Sequence, residues 1–182
     1  EADSSIGDGD HGIGMTRGFK EAKNRLENSL VMSISECFSI VGNSLLLKSG
    51  GASGAIFGTF FNTASKSLIQ EKQLNKKNFC RLLDVGLEAV NKIGNAIPGD
   101  KTMVDALDPA CRAAASKESF GEAVRAARDA ACEGVEKTKN MIAKHGKAKS
   151  LGTRSLGHPD PGAITFSLIL RALDDHLKRE AS

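Results

Sequence analysis

The chain has 182 residues, 40% hydrophobic and 26% charged, enough to bury a core without disulfides and too apolar for a disordered chain. Lys and Arg total 25 against 22 Asp and Glu, so the net charge of +3 is a mild bias, not a nucleic-acid stripe. No apolar run reaches the ~18 residues of a membrane span, and the absence of Trp and Tyr removes the usual stacking platforms and interfacial anchors. Neither nucleic acid nor membrane is expected as a partner.

Cys37, Cys80, Cys111 and Cys132 form no C-x-x-C pair, so they read as small hydrophobes on helix faces in a reducing cytoplasm. No basic-led apolar segment marks a secretion signal. The opening Glu-Ala-Asp-Ser-Ser lacks Met and is read as a start partway through a domain.

The chain then repeats apolar residues with a period near 3.6. Met15, Phe19, Ala22 and Leu26 predict a first helix, and Leu30, Ile34, Cys37 or Phe38, Val41 and Leu45 a second. A third is expected from near Gly54 with Ile56, Phe60, Ala64 and Leu68. Phe79, Leu82 or Leu83, Leu87 and Val90 mark a fourth. Met103, Leu107, Ala110 and Ala114 mark a fifth. The sixth opens on a capping box, Ser119 with Glu122, and runs from Val124 through Ala131 and Val135 to Ile142. The last, from about Gly162, carries Phe166, Ile169 or Leu170, Leu173 and Leu177.

Seven amphipathic helices without strand alternation predict an all-α fold, a bundle or closed ring around one core. No repeat or linker divides residues 1–182, so one domain is expected. Gly18 and Gly86, inside helices at a cost of about 1 kcal/mol each against Ala, read as close-packing positions.

Between the helices lie four glycine-rich segments, at 6–12, 49–54, 94–102 and 157–162. Asp3, Asp8 and Asp10 crowd three carboxylates beside His11, which suits either a solvated turn or a hard cation such as Mg²⁺. The spacing fails as an EF-hand, and His11 as a zinc ligand would lack company. Gly50 to Gly54 precede a helix, where backbone amides favour an anion, and Ser53 can cap the helix or donate to phosphate. In Gly94 to Thr102, Asp100 interrupts the P-loop pattern and no strand precedes it, so a P-loop is rejected. Lys101 and Thr102 retain the options of phosphate contact or capping. Lys144 and Lys147 read as a solvated basic helix end, Arg154 as a phosphate ligand, and Asp160, between two prolines, as either a specific contact or a simple turn. His145 and His176 read as surface residues.

Together these segments resemble the nucleotide-binding L subunit, or C-terminal domain, of the dihydroxyacetone kinase family (the DhaL or Dak2 type). The resemblance rests on Asp3-Ser-Ser-Ile-Gly-Asp-Gly-Asp-His-Gly12, on Gly50-Gly-Ala-Ser-Gly54 with Phe57-Gly-Thr-Phe-Phe61, and on Pro98-Gly-Asp-Lys-Thr-Met103 with Asp105-Ala-Leu107. It continues in Leu151-Gly-Thr-Arg-Ser155 and Gly157-His-Pro-Asp-Pro-Gly-Ala163, in family order across nearly the whole chain. It implies an antiparallel ring of eight amphipathic helices, the first of which, preceding the aspartate loop, is expected to be missing here.

It also implies that Asp3, Asp8 and Asp10 hold two Mg²⁺ against the phosphates of ADP or ATP. His11, Gly12, Ile13 and Gly14 would form the phosphate-side turn, and Ala52 and Ser53 a second loop on the nucleotide. Gly94 and Met103 would line the adenine pocket, and Arg154 with Asp160, Pro161 and Gly162 would supply the remaining contacts. Gly14 stands where Asn is common, leaving one phosphate hydrogen bond to be lost or made by backbone. Lys149-Ser150 replaces a frequent Ser-Tyr.

The implied activity is phosphoryl transfer to a hydroxyketone carried by a separate K subunit. Bound ADP, recharged by a phosphotransferase-system M subunit, is preferred over ATP consumed as a substrate, and a homodimer is allowed. A nucleotide- or fatty-acid-binding regulatory module without transfer is the rival from another class.

Overall fold

The computed structural model describes residues 2–30 and 33–180. It contains α1 (Ala2–Ile6), α2 (His11–Glu27), α3 (Ile34–Lys48), α4 (Gly51–Ser67), α5 (Lys76–Gly94), α6 (Val104–Ala115), α7 (Phe120–Thr138), a 3-10 segment (Lys147–Ser155) and α8 (Pro161–Glu180). The described residues contain no strand, as the helical periodicity predicts. They form two compact units, the described residues of 8–95 and residues 2–7 with 96–180.

In the first unit α2, α3, α4 and α5 pack in sequence, with α2 also touching α4. Met15, Ala22, Leu45, Phe57, Phe60, Ala64, Phe79, Leu83 and Val90 are among its buried apolar residues. Phe61 gathers Phe19, Phe38 and Phe60 around it at ring-centroid distances of 5.4–6.3 Å, an arrangement that adds quadrupole attraction to area burial. Gly18 and Gly86 are close-packing positions: a Cβ at Gly18 would enter Ser49 and Leu45, and one at Gly86 would enter the Phe60 ring.

In the second unit α7 packs between α6 and α8, and α1 rests on the 3-10 segment. Small residues permit the close approach of α6 and α7: Ala106, Ala110, Ala114, Ala123, Ala127 and Ala131 are fully buried. The predicted capping box opens α7, with Ser119 accepting from the Glu122 amide and the Glu122 carboxylate accepting from the Ser119 amide. All four cysteines are free thiols, and only Cys111 is fully buried.

Several expected boundaries move, for identifiable reasons. Leu30 is 96% exposed and precedes α3, because Ser33 caps that helix by accepting from the Glu36 amide. The α4 helix starts at Gly51, earlier than the expected Gly54, since Gly50 and Gly51 both adopt positive φ and turn the chain within two residues of α3. Ile142 lies beyond α7 and is exposed. A continuing helix would need the Thr138 carbonyl to accept from residue 142; instead it accepts from Lys101 Nζ at 2.6 Å and from the Met141 amide. Asp3, expected in a loop, lies on the short α1.

Candidate functional site

Asp3 on α1, with Asp8 and Asp10 on the four-residue turn between α1 and α2, puts three acids within eight residues. Ligating oxygens of Asp3, Asp8 and Asp10 all lie within 4.8 Å of one another, with Asp3 half-buried and the other two exposed. Carboxylates crowded this closely favour a cation between them, and an all-oxygen donor set suits Mg²⁺ rather than a thiophilic metal. The sequence turns here because Gly7 and Gly9 flank Asp8, Gly9 at positive φ.

His11 opens α2, and its Nδ1 hydrogen-bonds the Ser53 hydroxyl at 2.7 Å. The ring also meets Phe57 edge-on. This bond joins the first turn of α2 to the first turn of α4, bringing together two residues that the sequence places on separate phosphate loops. The Gly14 and Gly54 amides close the first helical bonds, to Asp10 and Gly50. Earlier amides of each turn stand outside the helical ladders, where the N-terminal dipole favours negative charge. Gly12, Ile13 and Ala52 are exposed at these turns.

Gly14 is buried, and a Cβ there would run into the Ser49 carbonyl. Its amide is committed to the Asp10 carbonyl. Gly14→Asn is therefore expected to destabilise the fold by about 2–3 kcal/mol through overpacking. Urea unfolding checks it; an unchanged midpoint would reject tight packing at this position.

In the second unit the predicted residues sit on a knot of loops. Met103 is buried at the start of α6, and the backbone of Gly162 lies against it. Asp160, followed by Pro161 at the first position of α8, accepts from the Ala163 amide at 2.7 Å and so caps that helix. Burial pushes the Asp160 carboxyl up to about 7, and neighbouring Asp105 adds repulsion, against the pull of the Ala163 and Gly162 amides and of Lys101. A raised folded-state value means that the unfolded chain releases this proton first as pH rises. Stability should then fall between about pH 4 and 7. Asp160→Asn keeps an acceptor for Ala163 and should flatten that slope in ligand-free denaturation; an unchanged slope would remove Asp160 as its source.

Three residues behave differently from their sequence reading. Lys101 is buried, and its Nζ donates to the carbonyls of Thr138 and His158, so it contacts backbone rather than phosphate. Lys144 is not the solvated end of a helix: it lies beyond α7 and pairs with buried Asp100 at 2.7 Å. His145 is half-buried against the same carboxylate at 3.1 Å. Hydrogen bonds from Lys144, the Ile97 amide and His145 hold Asp100 down at about 2. His176 is exposed, as expected.

Sequence reasoning missed Asp100 and Asp105, which order the loop before α6. Asp105 accepts from the amides of Gly99 and Thr102, at 2.5 and 2.8 Å. The Thr102-x-x-Asp105 spacing carries a cap signal that could have revealed it. Gly94 ends α5 in the first unit, and Arg154 is exposed on the 3-10 segment of the second.

Comparisons with known proteins place this arrangement. The DAK2 domain model matches residues 5–175. The chain is 35% identical over 173 residues to the ADP-binding subunit DhaL of PEP-dependent dihydroxyacetone kinase 1 from Listeria innocua serovar 6a, covering 95% of this chain and 83% of that one. It is 37% identical over 177 residues to the ADP-binding subunit DhaL of the PTS-dependent dihydroxyacetone kinase from Lactococcus lactis, covering 95% and 84%. The crystal structure of the C. freundii dihydroxyacetone kinase in complex with AMP-PNP and Mg²⁺ superposes with a TM-score of 0.75 at 29% identity, covering 96% of this chain but 29% of the larger one. The chain belongs to the DAK2 domain family of nucleotide-binding kinase subunits.

Proposed function

We propose that this chain is the nucleotide-binding phosphotransfer subunit of a dihydroxyacetone-type kinase, with phosphoenolpyruvate as the ultimate phosphate source and bound ADP as the carrier. The observation that carries the reading is the convergence of Asp3, Asp8 and Asp10 within 4.8 Å in the same short stretch that delivers His11 to Ser53. The relatives' activity as ADP-binding subunits agrees with it.

The residues fit the implied cofactors. Asp3, Asp8 and Asp10 would hold two Mg²⁺, which when bound neutralise charge on the phosphate oxygens. The first turns of α2 and α4, residues 11–13 with Ala52 and Ser53, bind the polyphosphate through amides and the hydroxyl, and Gly14 closes the α2 turn beneath them. His11 orients Ser53 and acts as no covalent nucleophile. The Arg154 guanidinium, always charged and fork-shaped, stabilises the transferring phosphoryl group. Gly94, Met103, Asp160, Pro161 and Gly162 accommodate the nucleoside. The presence of three carboxylates and of Arg154 in the chain favours transfer over a purely regulatory module.

On this reading residues 1–182 act as one nucleotide domain and adopt the family's antiparallel helical ring. The hydroxyketone sits on a partner K subunit, and an M subunit recharges the ADP, in the cytoplasm. No helix among the described residues is long and apolar enough to cross a membrane. Native mass spectrometry of the purified chain tests the reading. Retained ADP with two divalent ions is expected; a nucleotide-free chain that neither binds ADP with Mg²⁺ nor accepts phosphate would reject it. An ATP-consuming enzyme would instead exchange its nucleotide within minutes.

A further inference from the structure

Lys101 is the least economical residue in the second unit. It is 2% exposed, and its backbone sits at φ +60, a conformation that side-chain-bearing residues seldom adopt. A buried ammonium is tolerated only when its hydrogen bonds and charge are met, and burial lowers its proton affinity. Here the requirement is met by three separate segments. Nζ donates to the Thr138 carbonyl at the last residue of α7, at 2.6 Å, and to the His158 carbonyl at 2.5 Å. Asp105 and Asp160 provide the opposing charge. Thr138 completes the arrangement from the other side, its hydroxyl oxygen accepting from the Asp160 amide at 2.9 Å. The same Thr138 carbonyl accepts from Lys101 and from the Met141 amide where α7 ends.

We propose that Lys101, acting with Thr138, is a positioning residue for nucleotide binding: it locks the 157–162 turn against the end of α7 and so sets Asp160, Pro161 and Gly162 in the register that receives the nucleoside. This rests on the nucleotide reading above. A lysine beside Pro-Gly-Asp reads in sequence as a phosphate contact or a helix cap, yet its ammonium donates to backbone carbonyls of its own unit. Its influence on the ligand is therefore indirect. Arginine can retain the charge and reach two carbonyls, whereas methionine fills the volume and leaves both carbonyls without their donor.

Titration of the full-length chain with Mg²⁺-ADP tests this, after removal of any bound nucleotide. K101M is expected to weaken ADP binding at least tenfold, and K101R to restore it to within about threefold of wild type. S119A, which removes the exposed cap at the far end of α7, controls for general loosening and should leave affinity unchanged. Equal affinity in K101M and wild type would overturn the proposal, as would equal weakening in S119A. Should K101M not fold, T138V removes the hydroxyl that accepts from the Asp160 amide, the other tie between the 157–162 turn and the end of α7, and is expected to weaken binding about fivefold; wild-type affinity there overturns the proposal as well. A wild-type chain that binds no Mg²⁺-ADP would instead sink the functional reading itself.

Discussion

Asp8→Ala is expected to reduce phosphoryl transfer by roughly 10³-fold or more, which is about 4 kcal/mol of lost transition-state stabilisation. Asp8 is exposed on the turn between α1 and α2 and contributes nothing to either apolar core. Helix content and unfolding midpoint should therefore stay near wild type. The three carboxylates repel one another, so removing one can even relieve strain in the metal-free chain. Transfer would be measured with the complete kinase, alongside circular dichroism of the variant alone. Turnover within threefold of wild type would remove the aspartate cluster from the reaction. An inactive but also unfolded variant is the outcome expected if the cluster were structural.

The second large effect is expected at Arg154. Its side chain is exposed on the 3-10 segment, while the neighbouring Ser155 is buried and anchors that segment, accepting from the Ala143 amide at 3.0 Å and donating to the Gly152 carbonyl at 2.7 Å. Arg154→Ala should thus cost less than about 0.5 kcal/mol of stability. Transfer should fall about 10²- to 10³-fold, the usual consequence of losing one preorganised donor to developing charge. Arg154→Lys keeps the charge but not the planar fork, and intermediate activity is expected. Steady-state kinetics read the effect chiefly in kcat. Wild-type kcat with raised KM would reassign Arg154 to ground-state nucleotide binding.

Helical class and most of the helix count are legible in the sequence because burial of one face imposes a period that survives without knowledge of the partner. Ser119 and Glu122 announce the start of α7 for a similar reason: both hydrogen bonds close within four residues. The ends of helices are less legible. Ile142 continues the apolar period, but α7 ends at Thr138, whose carbonyl accepts from Lys101, 37 residues upstream, and from the Met141 amide of a tighter turn.

The acidic stretch shows the same division. Three aspartates within eight residues are a local fact, and their convergence follows from a short glycine-bearing turn. The His11–Ser53 bond spans 42 residues and exists only because α2 packs on α4. Gly14 resembles a lost phosphate ligand until the Ser49 carbonyl beside it shows that no side chain fits. Lys101 and Lys144 read as cations for phosphate or solvent, since charge alone does not reveal its partner. By itself, then, the sequence determined the helical architecture, the glycine loops and the carboxylates, all set by contacts between near neighbours along the chain. Tertiary structure decided which charges stay exposed and which are consumed as internal clamps, because a buried ion must be matched by groups that only the folded chain brings within reach.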